Sequence, residues 1–115
     1  MKIGDVCWID FPHKGGREQA GRRPAIAYQA EEFTRKLPTV LVIPLTSQLD
    51  ALRFPGTVLV EADAINGLAR SSVALVFQLT AVDCRSIGTI SGRVPEGILN
   101  ELFHQLNGLM GRHPK

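Results

Sequence analysis

Near the C-terminus, apolar residues fall at Ile98, Leu99, Leu102, Phe103, Leu106, Leu109 and Met110. Steps of one and three residues over three turns put all of them on one face of a helix. Pro95 suits the first helical turn and Glu96 complements the positive end of the helix dipole. Gly111 supplies a stop signal. Burying the seven side chains at roughly 1.5–3 kcal/mol each gives a gross term on the order of 10–20 kcal/mol. That is enough to dock the helix on a sheet after ordering costs.

Upstream, the pattern is that of β-strands. Asp5 to Phe11 is a β-rich run closed by Pro12, and Pro24 to Tyr28 is an apolar run suited to a buried strand. Between them, His13 to Arg22 is rich in charge and glycine and reads as a mobile loop. Ala30 to Lys36 is a turn or a single helical turn. Thr39 to Leu45 carries Val40, Leu41, Val42 and Ile43 in sequence, which implies burial on both faces. Thr57 to Glu61 and Ser72 to Leu79 are further strands, with a turn at Asn66-Gly67 between them. Ala81 to Ile90 holds one more strand and its irregular return. The sum is a mostly β (α+β) chain forming one domain over 1–115, a small, strongly bent barrel-like sheet with a C-terminal amphipathic helix.

Composition removes several function classes. The longest uncharged apolar run, Leu37 to Leu49, is interrupted by Pro38, Pro44, Thr46, Ser47 and Gln48, too punctuated to span a bilayer. The N-terminus lacks an apolar signal region, so a cytoplasmic protein is expected. Cys7 and Cys84 are too few for a disulfide scaffold and read as small buried hydrophobes. His13, His104 and His113 are scattered, no zinc-type spacing occurs, and no metal or other cofactor is expected. Trp8 reads as core. The glycines at 15, 16 and 21 make no P-loop, since no GK[ST] follows.

The net charge of +2 is small, but its distribution is uneven. Between His13 and Pro24 sit Lys14, Arg17, Arg22 and Arg23 against the single acid Glu18. A concentrated positive segment on a near-neutral body suggests a specific anionic partner. On charge alone, a solvated basic loop fits as well.

The segments Gly4-Asp5-Val6, Trp8-Ile9-Asp10-Phe11 and Gly16-Arg17-Glu18-Gln19-Ala20-Gly21-Arg22-Arg23-Pro24-Ala25 closely resemble the opening of MazF/PemK-family toxins. Pro44-Leu45-Thr46-Ser47-Gln48 is similar to that family's third-strand end. Arg70 to Leu79 is similar to its next strand, Asp83 falls where it has an acid, and Gly92-Arg93-Val94 before an acid-bearing helix fits its ending. The first motif is long and specific, and the resemblance runs through nearly the whole chain in order.

The resemblance implies an SH3-like barrel of the MazF/CcdB toxin type, acting as a homodimer. It implies cleavage of single-stranded RNA at short sequences, and a cognate antitoxin that lays a flexible acidic segment over the RNA site. The residues it implicates in the chemistry are Arg23 and Thr46. Two positions depart from the family pattern: Phe77, where an acid commonly precedes the glutamine, and Thr80, where an arginine is usual.

These residue types suit that chemistry. RNA carries its own nucleophile in the 2′-hydroxyl, so neither a nucleophilic side chain nor a metal-bound hydroxide is required. Arg23 is permanently charged and forks onto phosphate oxygens, which suits it to stabilise the transition state and makes it a poor base. Thr46 offers a short hydroxyl at a strand end for the phosphate or the 2′-hydroxyl. Lys14, Arg17 and Arg22 are RNA-binding candidates, with Gln19, Ser47, Gln48 and Gln78 as base-edge readers. Glu18 has three uses open to it: base, base-edge contact, or ion pair with Arg17 or Arg22. Two rival readings stand beside the ribonuclease, a CcdB-like gyrase poison and a homologue that binds RNA or antitoxin without cutting.

Overall fold

The computed structural model describes residues 1–11 and 21–112. The candidates Lys14, Arg17, Glu18 and Gln19, together with His13 and His113, lie outside the described residues. The described chain forms β1 (Asp5–Phe11), β2 (Gly21–Ala27), a short α1 (Glu31–Thr34), β3 (Thr39–Thr46), β4 (Thr57–Val60), β5 (Ser72–Leu75), β6 (Thr80–Asp83), β7 (Ile87–Arg93) and α2 (Glu96–Leu109). The strands make one antiparallel sheet in the order β4-β5-β3-β2-β1-β7, with β6 on β3. The expected mostly β architecture with a terminal helix is present. The sheet is bent and barrel-like but not closed.

β3 organises the sheet. On one edge it pairs with β2 (Ala25 with Pro44, Ile26 with Ile43, Ala27 with Val42). Its other edge takes two partners in turn, β5 at Leu45 and Thr46, and β6 from Thr39 to Val42. The strand expected from Ser72 to Leu79 therefore breaks. From Leu45 to Val42 is three steps along β3, whereas their partners Ala74 and Thr80 are six steps apart. The 3-10 turn Val76–Gln78 takes up that three-residue excess, and an apolar run does not reveal such an offset. The double-sided burial expected for β3 holds only from Val42 to Thr46, because Thr39 and Leu41 are exposed.

Both faces of the sheet carry core. One cluster joins Val6, Ile26, Ile43, Leu45, Val58, Val76 and Leu102, with α2 packed over it. The other joins Cys7, Ile9, Phe11, Ala25, Val40, Val42 and Val82. Pro95 is the residue before α2, not part of its first turn, and Glu96 begins the helix. Of the seven apolar residues, six are on α2 and Met110 follows it; only Leu102 is fully buried, Ile98, Leu99 and Leu106 are partly buried, and Phe103, Leu109 and Met110 are exposed. The gross burial term drops to roughly 4–8 kcal/mol. Phe103 rests against the Tyr28 ring at 4.9 Å and Leu109 over Gly56, each with its outer side left exposed.

The segment from Glu61 to Ser71 spans the gap between the two sheet ends, and Asn66 holds it. Asn66 is 1% exposed. Its Oδ1 accepts from the amides of Asp63 (3.1 Å) and Leu68 (2.9 Å), and its Nδ2 donates to the Glu61 carbonyl (2.8 Å). From β7, the Arg93 amide donates to the Ile65 carbonyl at 3.1 Å and the Ser91 hydroxyl to the Asn66 carbonyl at 3.1 Å. The approach requires Gly92, since a Cβ there would overlap the Ile65 carbonyl oxygen. The expected turn is present, with Gly67 at φ +69°. Asn66→Ala leaves buried backbone groups without partners and lowers stability by about 2–4 kcal/mol in urea denaturation. Asn100→Ala, on the exposed face of α2, changes it by less than about 0.5 kcal/mol.

The cysteines divide. Cys7 is buried as expected, but Cys84 is exposed, because it opens the outward turn Cys84–Ser86 after β6. Burial, with a smaller contribution from Asp5, pushes the Cys7 thiol up from its ordinary 9.0 to about 11. A raised pKa favours the protonated thiol, so this contribution to stability is whole below pH 9 and lost as pH rises toward 11. At pH 8 a thiol reagent labels Cys84 in the native protein, and Cys7 only after unfolding. Equal native labelling of both would contradict the packing.

Candidate functional site

Arg23 and Thr46 lie on neighbouring strands, and the sheet register relates them. In the β2–β3 ladder the paired residues run from Ala27 with Val42 to Ala25 with Pro44. The pairing ends there; along each strand, Arg23 lies two residues beyond Ala25 and Thr46 two beyond Pro44. Ala25 and Pro44, being paired, project from one face, and residues two apart on a strand share a face, so Arg23 and Thr46 belong to that same face. Arg23 is also opposite Ile9 of β1, and it is half-buried.

Thr46 is buried at the end of β3, where it also pairs with Val73 of β5. Its Oγ1 accepts from the Gln48 amide at 3.2 Å. With the oxygen engaged as an acceptor, the O–H remains as a donor. Thr46 forms part of the wall of a groove of about 330 Å³, lined further by Gln48, Asp50, Ala51, Arg53, Phe54, Leu75, Phe77 and Gln78.

The groove thus gathers three predicted residues, Thr46, Gln48 and Gln78. Gln78 arrives there on the 3-10 turn and not on a strand. Phe77, one of the two departures, is in the same wall. Ser47 is exposed just after Thr46 and outside the lining. Thr80, the other departure, opens β6 opposite Val42 and is also outside it. Arg22 follows strand alternation to the face opposite Arg23, with its guanidinium 5.8 Å from the centre of the Trp8 ring. Trp8 is therefore half-buried under a cation, not enclosed in the core as expected.

Asp83 is outside the groove lining and pairs with Thr39 at the other end of β3. The Arg85 side chain, bonded at 2.8 and 3.0 Å, is the main cause that holds its carboxyl down at about 2. Such a carboxylate is a poor base near neutrality.

Sequence reasoning passed over Asp50, Arg53 and Phe54. They sit on the 3-10 turn Leu49–Arg53 and just after it. Arg53 Nη1 bonds Asp50 Oδ2 at 2.9 Å, and its guanidinium carbon is 4.4 Å from the Phe54 ring centre. The available signal was a charge pair three residues apart, followed by Phe54-Pro55.

A bent, mostly β sheet carrying one helix and this groove has close structural counterparts. MazF from Deinococcus radiodurans superimposes with a TM-score of 0.81 at 27% identity, covering 96% of each chain. The same organism's MazE–MazF complex contains a chain that matches with a TM-score of 0.77 at 26% identity, over 98% of this chain and 97% of that one. In sequence, the endoribonuclease toxin MazF of Escherichia coli is 32% identical over 110 residues, covering 95% of this chain and 93% of the relative. Endoribonuclease EndoA of Bacillus subtilis is 34% identical over 83 residues, 72% of this chain and 71% of the relative. The chain belongs to the family of PemK-like, MazF-like toxins of type II toxin-antitoxin systems, whose model matches residues 2–110.

Proposed function

We propose that this chain is a MazF-type endoribonuclease toxin that cuts single-stranded RNA at short sequences without a metal. Family membership and relatives named as endoribonucleases support the reaction class. The observation that supports the residue assignment is the β2–β3 register, from which Arg23 and Thr46 share one face of the sheet, with Thr46 in the wall of a groove lined by glutamines and aromatic rings.

In this reading the RNA 2′-oxygen attacks the adjacent phosphorus, its proton passing to a base. The bond from phosphorus to the 5′-oxygen breaks, and that oxygen takes up a proton. The products are a 2′,3′-cyclic phosphate and a 5′-hydroxyl. Arg23 stabilises charge on the phosphoryl oxygens. The Thr46 O–H donates to the same phosphate, its oxygen being held by the Gln48 amide. Gln48, Gln78 and Ser47 contact base edges, and Lys14, Arg17, Glu18, Gln19 and Arg22 form the rest of the RNA-binding set. The protein acts in the cytoplasm as a homodimer of one-domain chains. It is restrained by a cognate antitoxin with a flexible acidic segment, a reading supported by similar chains solved as MazE–MazF complexes.

Incubation with long single-stranded RNA in excess EDTA tests the proposal. Discrete fragments ending in cyclic phosphate are expected, and Arg23→Ala slows their formation by about 10²–10³. Intact RNA together with inhibited DNA supercoiling would favour the gyrase poison. Intact RNA that is nonetheless bound would favour the non-cutting homologue.

A further inference from the structure

Phe54 and Phe77 come from separate turns, yet their rings stand 5.8 Å apart at 59° in the wall of the Thr46 groove. Each keeps a large exposed surface, 44% and 41%. Such rings cost less in a core, and here both supporting turns are held in place. Ala51 packs on Val73 and Leu75 of β5, which anchors the turn leading to Phe54. The Phe77 amide donates to the Gly56 carbonyl at 3.2 Å, tying the second turn to the chain two residues beyond Phe54. Arg53, itself bonded to Asp50, lies over the Phe54 ring.

We propose that Phe54 and Phe77 form a stacking platform for one unpaired RNA base, with Gln48 and Gln78 at the base edge and the Arg53 cation alongside. This rests on the ribonuclease reading. The chemistry favours a base over an apolar peptide side chain. A ring pair beside a cation, two amides and a hydroxyl offers a π-surface and polar edge contacts together, as single-stranded RNA recognition requires. Continuity with Thr46 puts the base within reach of the phosphodiester to be cut. The platform selects which base occupies one position of the cleavage sequence.

The test uses the full chain, in which Trp8 is the single tryptophan. A Trp8→Phe, Phe77→Trp chain is titrated with a random-sequence single-stranded 2′-O-methyl RNA pool, which cannot cut itself. Stacking quenches the indole emission, and adding Phe54→Leu weakens binding on the order of tenfold. In parallel, RNA ends produced by the unaltered chain and by Phe77→Leu are sequenced. One base preference is lost in the variant and the others are kept. Quenching without any cleavage upholds base stacking on the rings but removes the ribonuclease reading and, with it, the platform's part in choosing a cleavage sequence. Cleavage with no quenching and an unchanged preference in Phe77→Leu overturns the platform alone. Neither signal overturns both. Quenching by poly-glutamate but not by the RNA pool assigns the rings to a polypeptide partner and overturns the proposal.

Discussion

The pairing of β2 with β3 is the constraint on which the rest depends. Ala25 against Pro44 and Ala27 against Val42 fix which residues share a face farther along the strands. A slip of one residue would send Arg23 to the opposite face, where Arg22 now stacks on Trp8. The register is defended by apolar burial on both faces, with Ile26 and Ile43 in one cluster and Ala25 and Val42 in the other. A guanidinium and a hydroxyl thereby share a face, supported by strands packed on either side.

The groove beside Thr46 follows from a second constraint. β3 pairs with β5 and β6 in registers three residues apart, so the connecting chain must leave the ladder. It does so at Val76–Gln78, and the excursion turns Phe77 and Gln78 toward the turn that bears Arg53 and Phe54. A continuous strand there would alternate sides and could not present both residues to one groove. The opposite end of the barrel is held differently, by the buried amide of Asn66 and the close passage of Gly92.

Most of the architecture was legible in the sequence because it is written in local periodicity. The Val40–Ile43 run, the Asn66-Gly67 turn and the 3.6-residue pattern after Pro95 each mark their elements. What escaped was set by distant partners. The break after Leu75 depends on β3, and how much of Phe103 and Leu109 is covered depends on Tyr28 and Gly56, distant in sequence. Cys84 looks like a core residue until the turn after β6 points it outward. In the candidate site, Thr46, Gln48 and Gln78 were found by resemblance, and they do line one groove. Arg53 and Phe54 were not, because a ring and a cation on a short irregular segment carry no period. Lys14, Arg17, Glu18 and Gln19 lie outside the described residues.

The central claim is that Arg23 and Thr46 act on a single phosphodiester. A double-mutant cycle on kcat/KM with Arg23→Ala, Thr46→Val and the combined variant measures it most directly. Two groups that meet at one phosphate give strongly non-additive losses, with a coupling of about 1 kcal/mol or more. Losses that simply add would mean that the two side chains act at separate places.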